Sequence, residues 1–403
     1  MSFQHGLSGL NAAARNLDVI GNNVANANTV GAKSSRAEFA DMYANSLTGL
    51  SASTAGIGVA VTSVAQQFTQ GDITSTNNPL DMAINGRGFF RVSMDGATQY
   101  TRNGQFRMDK DGYIVTAQGA RLTGYQVDAS GQTSNGSPSD LRISTADISP
   151  QATAGARAQL NLDAREQTIA AAFDSSDPAT YHSAMSMSVY DSLGRDHQVT
   201  LFYRKSAANT WEVRAAADGT DIPGIAQTLN FSTAGLVTSP TGPVNLTIPV
   251  GADAGGNQTF GLDLSGATQF GASFAATEIS QDGYGTGRLS GFTADDSGML
   301  IGRYSNGQTR PQGQIVLANF VNPQGLVPLG NNAWVEGGAA GQATLGAPGS
   351  GILGSLEAAA VENSNVDMTA ELVNMITAQR TYQANAQTIK THDQLLQTIV
   401  NLR

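Results

Sequence analysis

The sequence contains no cysteine. Disulfides, thiolate metal sites and cysteine nucleophiles are thereby excluded. The absence suits a chain that passes into an oxidising space without cross-linking. Charge is also scarce: Asp, Glu, Lys and Arg make up 13% of the 403 residues, against the roughly 25% usual for globular proteins. Aromatic residues account for only 6%. Gly, Ala, Ser, Thr, Asn and Gln fill the gap and predict a polar, weakly charged surface. The net charge is −10 and the 22 basic residues are scattered. Without a dense basic patch to meet phosphates, nucleic acid is not an expected partner. No apolar run reaches the roughly 18 residues a membrane helix needs, so no integral membrane segment is expected. The start, Met1-Ser2-Phe3-Gln4-His5-Gly6, lacks the basic and apolar regions of a cleaved secretory signal.

What is present is organised by position. Phe3, Leu7, Leu10, Ala14, Leu17, Gly21 and Val24 step by four and three, the spacing of a heptad seam. The C-terminal end repeats it through Met368, Leu372, Met375, Gln379, Tyr382, Ala386, Ile389, Asp393, Leu396 and Val400. No glycine or proline interrupts 366–403, and Asp367 precedes this segment as a candidate N-cap. Amphipathic helices commonly cover only their own domain core. Two of them at opposite ends of one chain also suit pairing with each other or with neighbouring copies.

Between the ends the pattern is β. Apolar runs such as Phe89 to Val92, Met185 to Tyr190, Val199 to Tyr203, Trp211 to Arg214 and Gln314 to Phe320 are separated by turn dipeptides. Asn85-Gly86, Asn103-Gly104, Asp111-Gly112 and Asn306-Gly307 are hairpin-grade turns. Polar stretches at 45–58, 130–139 and 339–354 mark candidate linkers or boundaries.

Candidate chemistry is thin. His5, His182, His197 and His392 share no metal-ligand spacing, and His197 stands beside a lone Asp196. They read as surface or packing histidines. Asp109-Lys110-Asp111-Gly112 and Asp295-Asp296-Ser297-Gly298 lack the further ligands of a calcium loop and read as turns. The glycine-rich 283–287 is not followed by a helix whose N-terminus could hold an anion. No catalytic, metal or cofactor site is expected, and the chain does not read as an enzyme.

The segment from Leu10 to Lys33, centred on Asn22, Asn23, Val24, Ala25 and Asn26, closely resembles the N-terminal motif of bacterial flagellar rod, hook and hook-associated proteins. The stretch from Glu362 through Asn365, Val366 and Asp367 to Arg403 resembles the matching C-terminal motif. One departure is Ala32, where members of this axial family usually carry an aromatic residue. Gly88-Phe89-Phe90, Tyr100 to Phe106, Gly119 to Tyr125, Gly313 to Phe320 and Asn331 to Trp334 resemble the family's shared β-domain. Roughly 140 further residues inside that domain resemble the hook branch rather than the shorter distal rod.

The resemblance implies an α + β multidomain fold, with terminal helices forming a coiled-coil domain and nested antiparallel β-domains in the middle. Residues 1–24 with 366–403 would line a channel. Residues 25–70 with 355–365 would connect, 71–144 with 285–354 would form a discontinuous inner β-domain, and 145–284 an inserted outer one. It implies a subunit of a flexible curved tube, a helical homopolymer that joins rod to filament and transmits torque. The implied partners are further copies of the chain, the distal rod protein, hook-filament junction proteins, the hook cap and the flagellar type III export apparatus. The implied location is the extracellular flagellum, continuous with the basal-body rod. A distal rod protein would share both end motifs but not the insertion. A secreted carbohydrate-binding adhesin would explain the β-rich middle but not the two heptad ends.

Overall fold

The computed structural model describes residues 2–42, 56, 58–128, 131–134, 136–222 and 226–401. Two long helices stand at the ends and strands fill the interior. Helix α1 spans Ser2–Ala25 and helix α2 spans Met368–Asn401. Helix α2 starts where the sequence puts its cap: the Asp367 carboxylate accepts the backbone N–H of Thr369 at 2.9 Å and of Ala370 at 3.1 Å. After α1, strands β1 (Ser35–Met42) and β2 (Gly58–Gln66) pair antiparallel. The polar stretch at 45–58 falls between them and lies almost wholly outside the described residues.

The chain divides into two compact units. The first comprises 1–145, 291–303 and 309–403; the second comprises 146–290 and 304–308. In the first unit, short strands β3 (Ile73–Ser75) and β4 (Met82–Asn85) pair with Ala360–Glu362 and Ser355–Ala358. The segment just before α2 is thereby tied to residues some 280 positions earlier. Strands β5 (Phe89–Met94) and β6 (Ala97–Thr101) form a hairpin within a larger sheet. Its order runs Thr309–Ile315, Arg121–Gln126, β5, β6, Ala333–Val335 and Val327–Gly330. Phe89, Tyr100, Phe320 and Trp334 make an aromatic core with Phe68, in edge-to-face contacts of 4.8 to 5.9 Å.

The second unit is a β-sandwich. One sheet carries Val244–Pro249, Asn257–Asp263, Gly155–Asp163, Thr268–Phe270 and Ala275–Gln281. The other carries Ser183–Tyr190, Asp196–Ala207, Thr210–Ala217, Thr220–Asp221, Gln227–Phe231 and Val237–Ser239. Burial alternates along Gly155–Asp163 and Ser183–Tyr190, the period-two pattern of a sheet with one covered face. Leu160, Leu162, Ile248 and Phe260 from the first sheet meet Val199, Leu201, Tyr203 and Trp211 from the second in a single core. The indole N–H of Trp211 donates to Gln269 at 3.2 Å, which fixes the two sheets to each other at a polar point inside the core.

Candidate assembly site

The two end motifs meet in the first unit. Glu362 is fully buried, and its two carboxylate oxygens face two cations. Lys33 Nζ lies 2.6 Å from Oε1 and Arg102 Nη1 lies 3.0 Å from Oε2. The backbone N–H of Gly71 donates to the same Oε1 at 2.9 Å. Lys33 also donates to the Thr69 carbonyl at 2.8 Å. Burial pushes both the Lys33 and the Arg102 pKa below their ordinary values, and the Glu362 carboxylate opposes that loss. Such a cluster is costly to assemble, but removing its one anion costs far more, because two buried cations would then face each other.

Around this cluster the motif asparagines act as backbone clips. Asn23 is buried, and its amide exchanges two 2.8 Å hydrogen bonds with the backbone of Ser35. It also donates to Glu371 on α2 at 3.2 Å. Asn365 accepts the Ser34 N–H at 2.7 Å and donates to the Gln67 carbonyl at 2.8 Å. Asn26 caps the end of α1 by donating to the Asn22 carbonyl at 3.0 Å. Asn332 donates to the Val30 carbonyl at 2.9 Å. Gly31 is required where it stands: its φ is +71°, and a Cβ would fall 2.6 Å from the backbone nitrogen of Asn103. Asn22 and Ala25 are exposed on α1, and Val366 is half-buried ahead of the cap.

From this junction α1 and α2 run antiparallel. Asn23 faces Glu371 at one end, while Gly9 faces Asn385 and Gly6 faces Ile389 at the other. A Cβ on Gly6 would come within 3.0 Å of Ile389, and one on Gly9 within 2.9 Å of Asn385, so small residues set how closely the helices approach. The covered stripe on α1 includes Gly6, Ala12, Ala13, Ile20 and Asn23. Leu10, Leu17 and Val24 lie half-buried beside it, and Leu7 is 44% exposed. On α2 Ala378 is buried, and Glu371, Met375, Asn385, Ala386, Ile389 and His392 are half-buried.

The larger apolar side chains of α2 point elsewhere. Leu372, Val373, Ile376, Leu395 and Leu396 are each 45–58% exposed, and Tyr382 is 37% exposed. With Gly6 opposite Ile389, the start of α1 lies opposite about residue 393, so Leu395 and Leu396 extend past it. The side chains of Phe3 and Val400 lie outside the described residues. Between α1, α2 and the β1–β2 hairpin is a cleft of about 620 Å³, whose walls include Ala13, Ile20, Phe39, Val59 and Ala378.

Comparison with known proteins gives this junction a context. Residues 3–33 match the flagellar basal body rod protein family, and 357–402 match the C-terminal family of the flagellar basal body rod proteins FlgE, FlgF and FlgG. Residues 83–170 match the D1 domain of the flagellar hook proteins FlgE/F/G, and 161–284 match the flagellar basal body protein FlaE D2 domain. The chain is 41% identical to the flagellar hook protein FlgE of Escherichia coli K12 and 42% identical to that of Salmonella typhimurium, each over the full length of both chains. It is 34% identical to the FlgE of Borreliella burgdorferi, over 100% of this chain and 99% of that one. The crystal structure of Helicobacter pylori flagellar hook protein FlgE2 superposes with a TM-score of 0.52 at 14% identity, covering 70% of this chain and 99% of that one. The chain belongs to the flagellar hook protein family and is a structural subunit of the bacterial flagellar hook.

Proposed function

We propose that the subunit polymerises head to tail into a helical tube whose inner wall is built from the terminal helices. Residues 1–24 with 366–403 form a coiled-coil domain that is completed only by neighbouring copies. Residues 25–70 with 355–365 connect it to the discontinuous β-domain 71–144 with 285–354, and 145–284 stand outermost. A contact between identical subunits whose rotation does not close generates such a tube. The tube joins the distal rod protein to the hook-filament junction proteins, grows beneath a hook cap, and is supplied by the type III export apparatus. It lies outside the cell, continuous with the basal-body rod, and acts as a universal joint. A surface poor in charge suits subunits that slide as the tube bends, because polar neutral groups exchange water-bridged contacts at little cost.

The observation that carries this reading is the set of exposed apolar side chains on α2. Half-exposed Leu372, Val373, Ile376, Leu395 and Leu396 find no cover within the described chain, and each large aliphatic residue gains about 1.5–3 kcal/mol on full burial. The cleft beside α1 gives a neighbouring copy a second apolar contact. Ile376→Asp combined with Leu396→Asp should abolish hooks in electron micrographs while the purified subunit keeps its β-sheet circular dichroism. Hooks of normal length and number in that variant would defeat the proposal.

A further inference from the structure

The second unit holds a charged network that serves neither its core nor any recognised motif. His197 opens the strand Asp196–Ala207 and lies between two carboxylates. Its Nδ1 is 2.7 Å from Asp218 Oδ2, and its Nε2 is 3.5 Å from Asp191 Oδ2. The side chain is only 14% exposed, and Asp191 is fully buried. Asp191 accepts the N–H groups of Leu193 and Arg195 at 2.9 Å each and the Arg195 Nε at 3.0 Å. Arg195 reaches on to Asp253 at 2.9 Å. Asp218, in the turn after the strand Thr210–Ala217, also accepts the Gln198 N–H at 2.9 Å.

Both ring nitrogens of His197 therefore face carboxylate oxygens. A neutral imidazole has one N–H. Whichever nitrogen kept it, the other would turn a lone pair toward an anion. Nδ1 makes the hydrogen bond to Asp218, while Nε2 makes none and meets Asp191 as a charge 3.5 Å away, so the imidazolium is the form both carboxylates favour. The charged groups around it on every element named are Asp191 on the turn before its strand, Arg195 and Asp196 at the strand's start, Asp218 on the turn opposite, and Asp253 beyond Arg195. Three of these carboxylates, Asp191, Asp218 and Asp253, share one arginine and one histidine. Loss of the histidine proton leaves the three carboxylates facing Arg195 alone.

The location gives the network a consequence. Gly194, at the tip of the Asp191 turn, packs against Pro150 and Gly285, where a Cβ would sit 2.6 Å and 3.2 Å away. Tyr190, just before that turn, receives the Thr153 N–H at 2.9 Å and donates to Thr153 Oγ1 at 2.9 Å. Gln151 and Tyr284 exchange backbone hydrogen bonds of 2.9 Å. Residues 148–153 and 283–287 lie just inside the points where the chain first enters this unit, at 146, and leaves it, at 290; 304–308 return to it. The turn held by His197 is the wedge against both.

We propose that His197 is a proton-dependent clamp at the base of the outer β-sandwich: protonated, it ties the Asp191 and Asp218 turns together and stiffens the entering and leaving segments, and deprotonated it releases them. Burial works against the charged ring, but the hydrogen bond to Asp218 and the nearby Asp191 carboxylate prevail and raise its pKa above the ordinary imidazole value. The sign follows from that direction. The clamp contributes fully below the unfolded-state value of about 6.5 and is lost as pH rises through the higher folded value. The subunit is thus firmer at the base of this unit in acid and neutral media than in alkaline ones.

The test uses the full-length unassembled subunit. Nitrogen-edited NMR follows the His197 ring, assigned by its disappearance in His197→Asn. The expected midpoint lies above that of a free imidazole, and it falls in Asp218→Asn. Between pH 6 and pH 9 the wild-type melting temperature should drop by about 2–4 °C more than that of His197→Asn. A His197 midpoint at or below about 6.5, or the same pH slope of melting in both proteins, overturns the proposal. If His197→Asn does not fold, the ring titration in wild type and in Asp218→Asn decides alone.

Discussion

The sandwich of the second unit and the terminal helix pair bury their side chains in opposite ways. In the sandwich the largest residues go inside: Trp211, Tyr203 and Phe260 are almost wholly enclosed, and burial alternates along the strands. In the helix pair the small residues face inward, Gly6, Gly9 and Ala378 among them, while Leu372, Ile376 and Leu396 face out. The first arrangement is self-sufficient, since the apolar area that drives folding is enclosed by the unit itself. The second is unfinished. Most helical stability comes from packing an apolar face rather than from propensity, and here Leu372, Val373, Ile376, Leu395 and Leu396 stay about half exposed.

The two tryptophans make this contrast measurable. Trp211 lies in the sandwich core and Trp334 in the aromatic core of the first unit, and the chain has no others. Single-tryptophan versions carrying Trp211→Phe or Trp334→Phe therefore report each unit separately in a urea titration. Glu362→Gln should have the largest effect. It strands Lys33 and Arg102 as buried cations and should cost the Trp334 transition about 3–5 kcal/mol, with the Trp211 transition unmoved. Equal shifts in both transitions would mean that the two units unfold as one, and the contrast would fail.

Tyr203→Phe should have the smaller effect, and in the opposite direction. The Tyr203 hydroxyl is buried without a hydrogen-bond partner among the described residues, and desolvation drives its pKa far above the ordinary phenol value. Removing an unsatisfied buried hydroxyl recovers a desolvation penalty of about 1–3 kcal/mol. The Trp211 transition should move to higher urea and the Trp334 transition should stay. A shift to lower urea would show that the hydroxyl is solvated inside the core.

Much of this organisation is written locally in the sequence. Asp367 caps α2 because a carboxylate one residue before a helix meets the free N–H groups of its first turn. The Asp109 and Asp295 stretches are turns because each carboxylate accepts backbone N–H groups two and four residues on. Three strands of one sandwich sheet, around 185–190, 199–203 and 211–214, were legible as apolar runs between turn dipeptides; those of the facing sheet were not. The Glu362 cluster was not, because its members are 329 and 260 residues apart and no local pattern links them. His197 stands next to Asp196 in sequence, yet its partners are Asp191 and Asp218, brought in by two turns. The heptad spacing draws the eye to large apolar residues. The intrachain helix contact is set by glycines and alanines, whose lack of bulk is what lets the helices approach.

Amide hydrogen exchange on the unassembled subunit and on assembled hooks tests the central claim most directly. In the free subunit, amides of α1 and α2 should exchange near the unprotected rate while those of 183–217 in the sandwich stay protected. In assembled hooks both sets should be protected. Equally slow exchange of the terminal helices in the two states would show that the helix pair is complete without neighbours, and would contradict the account.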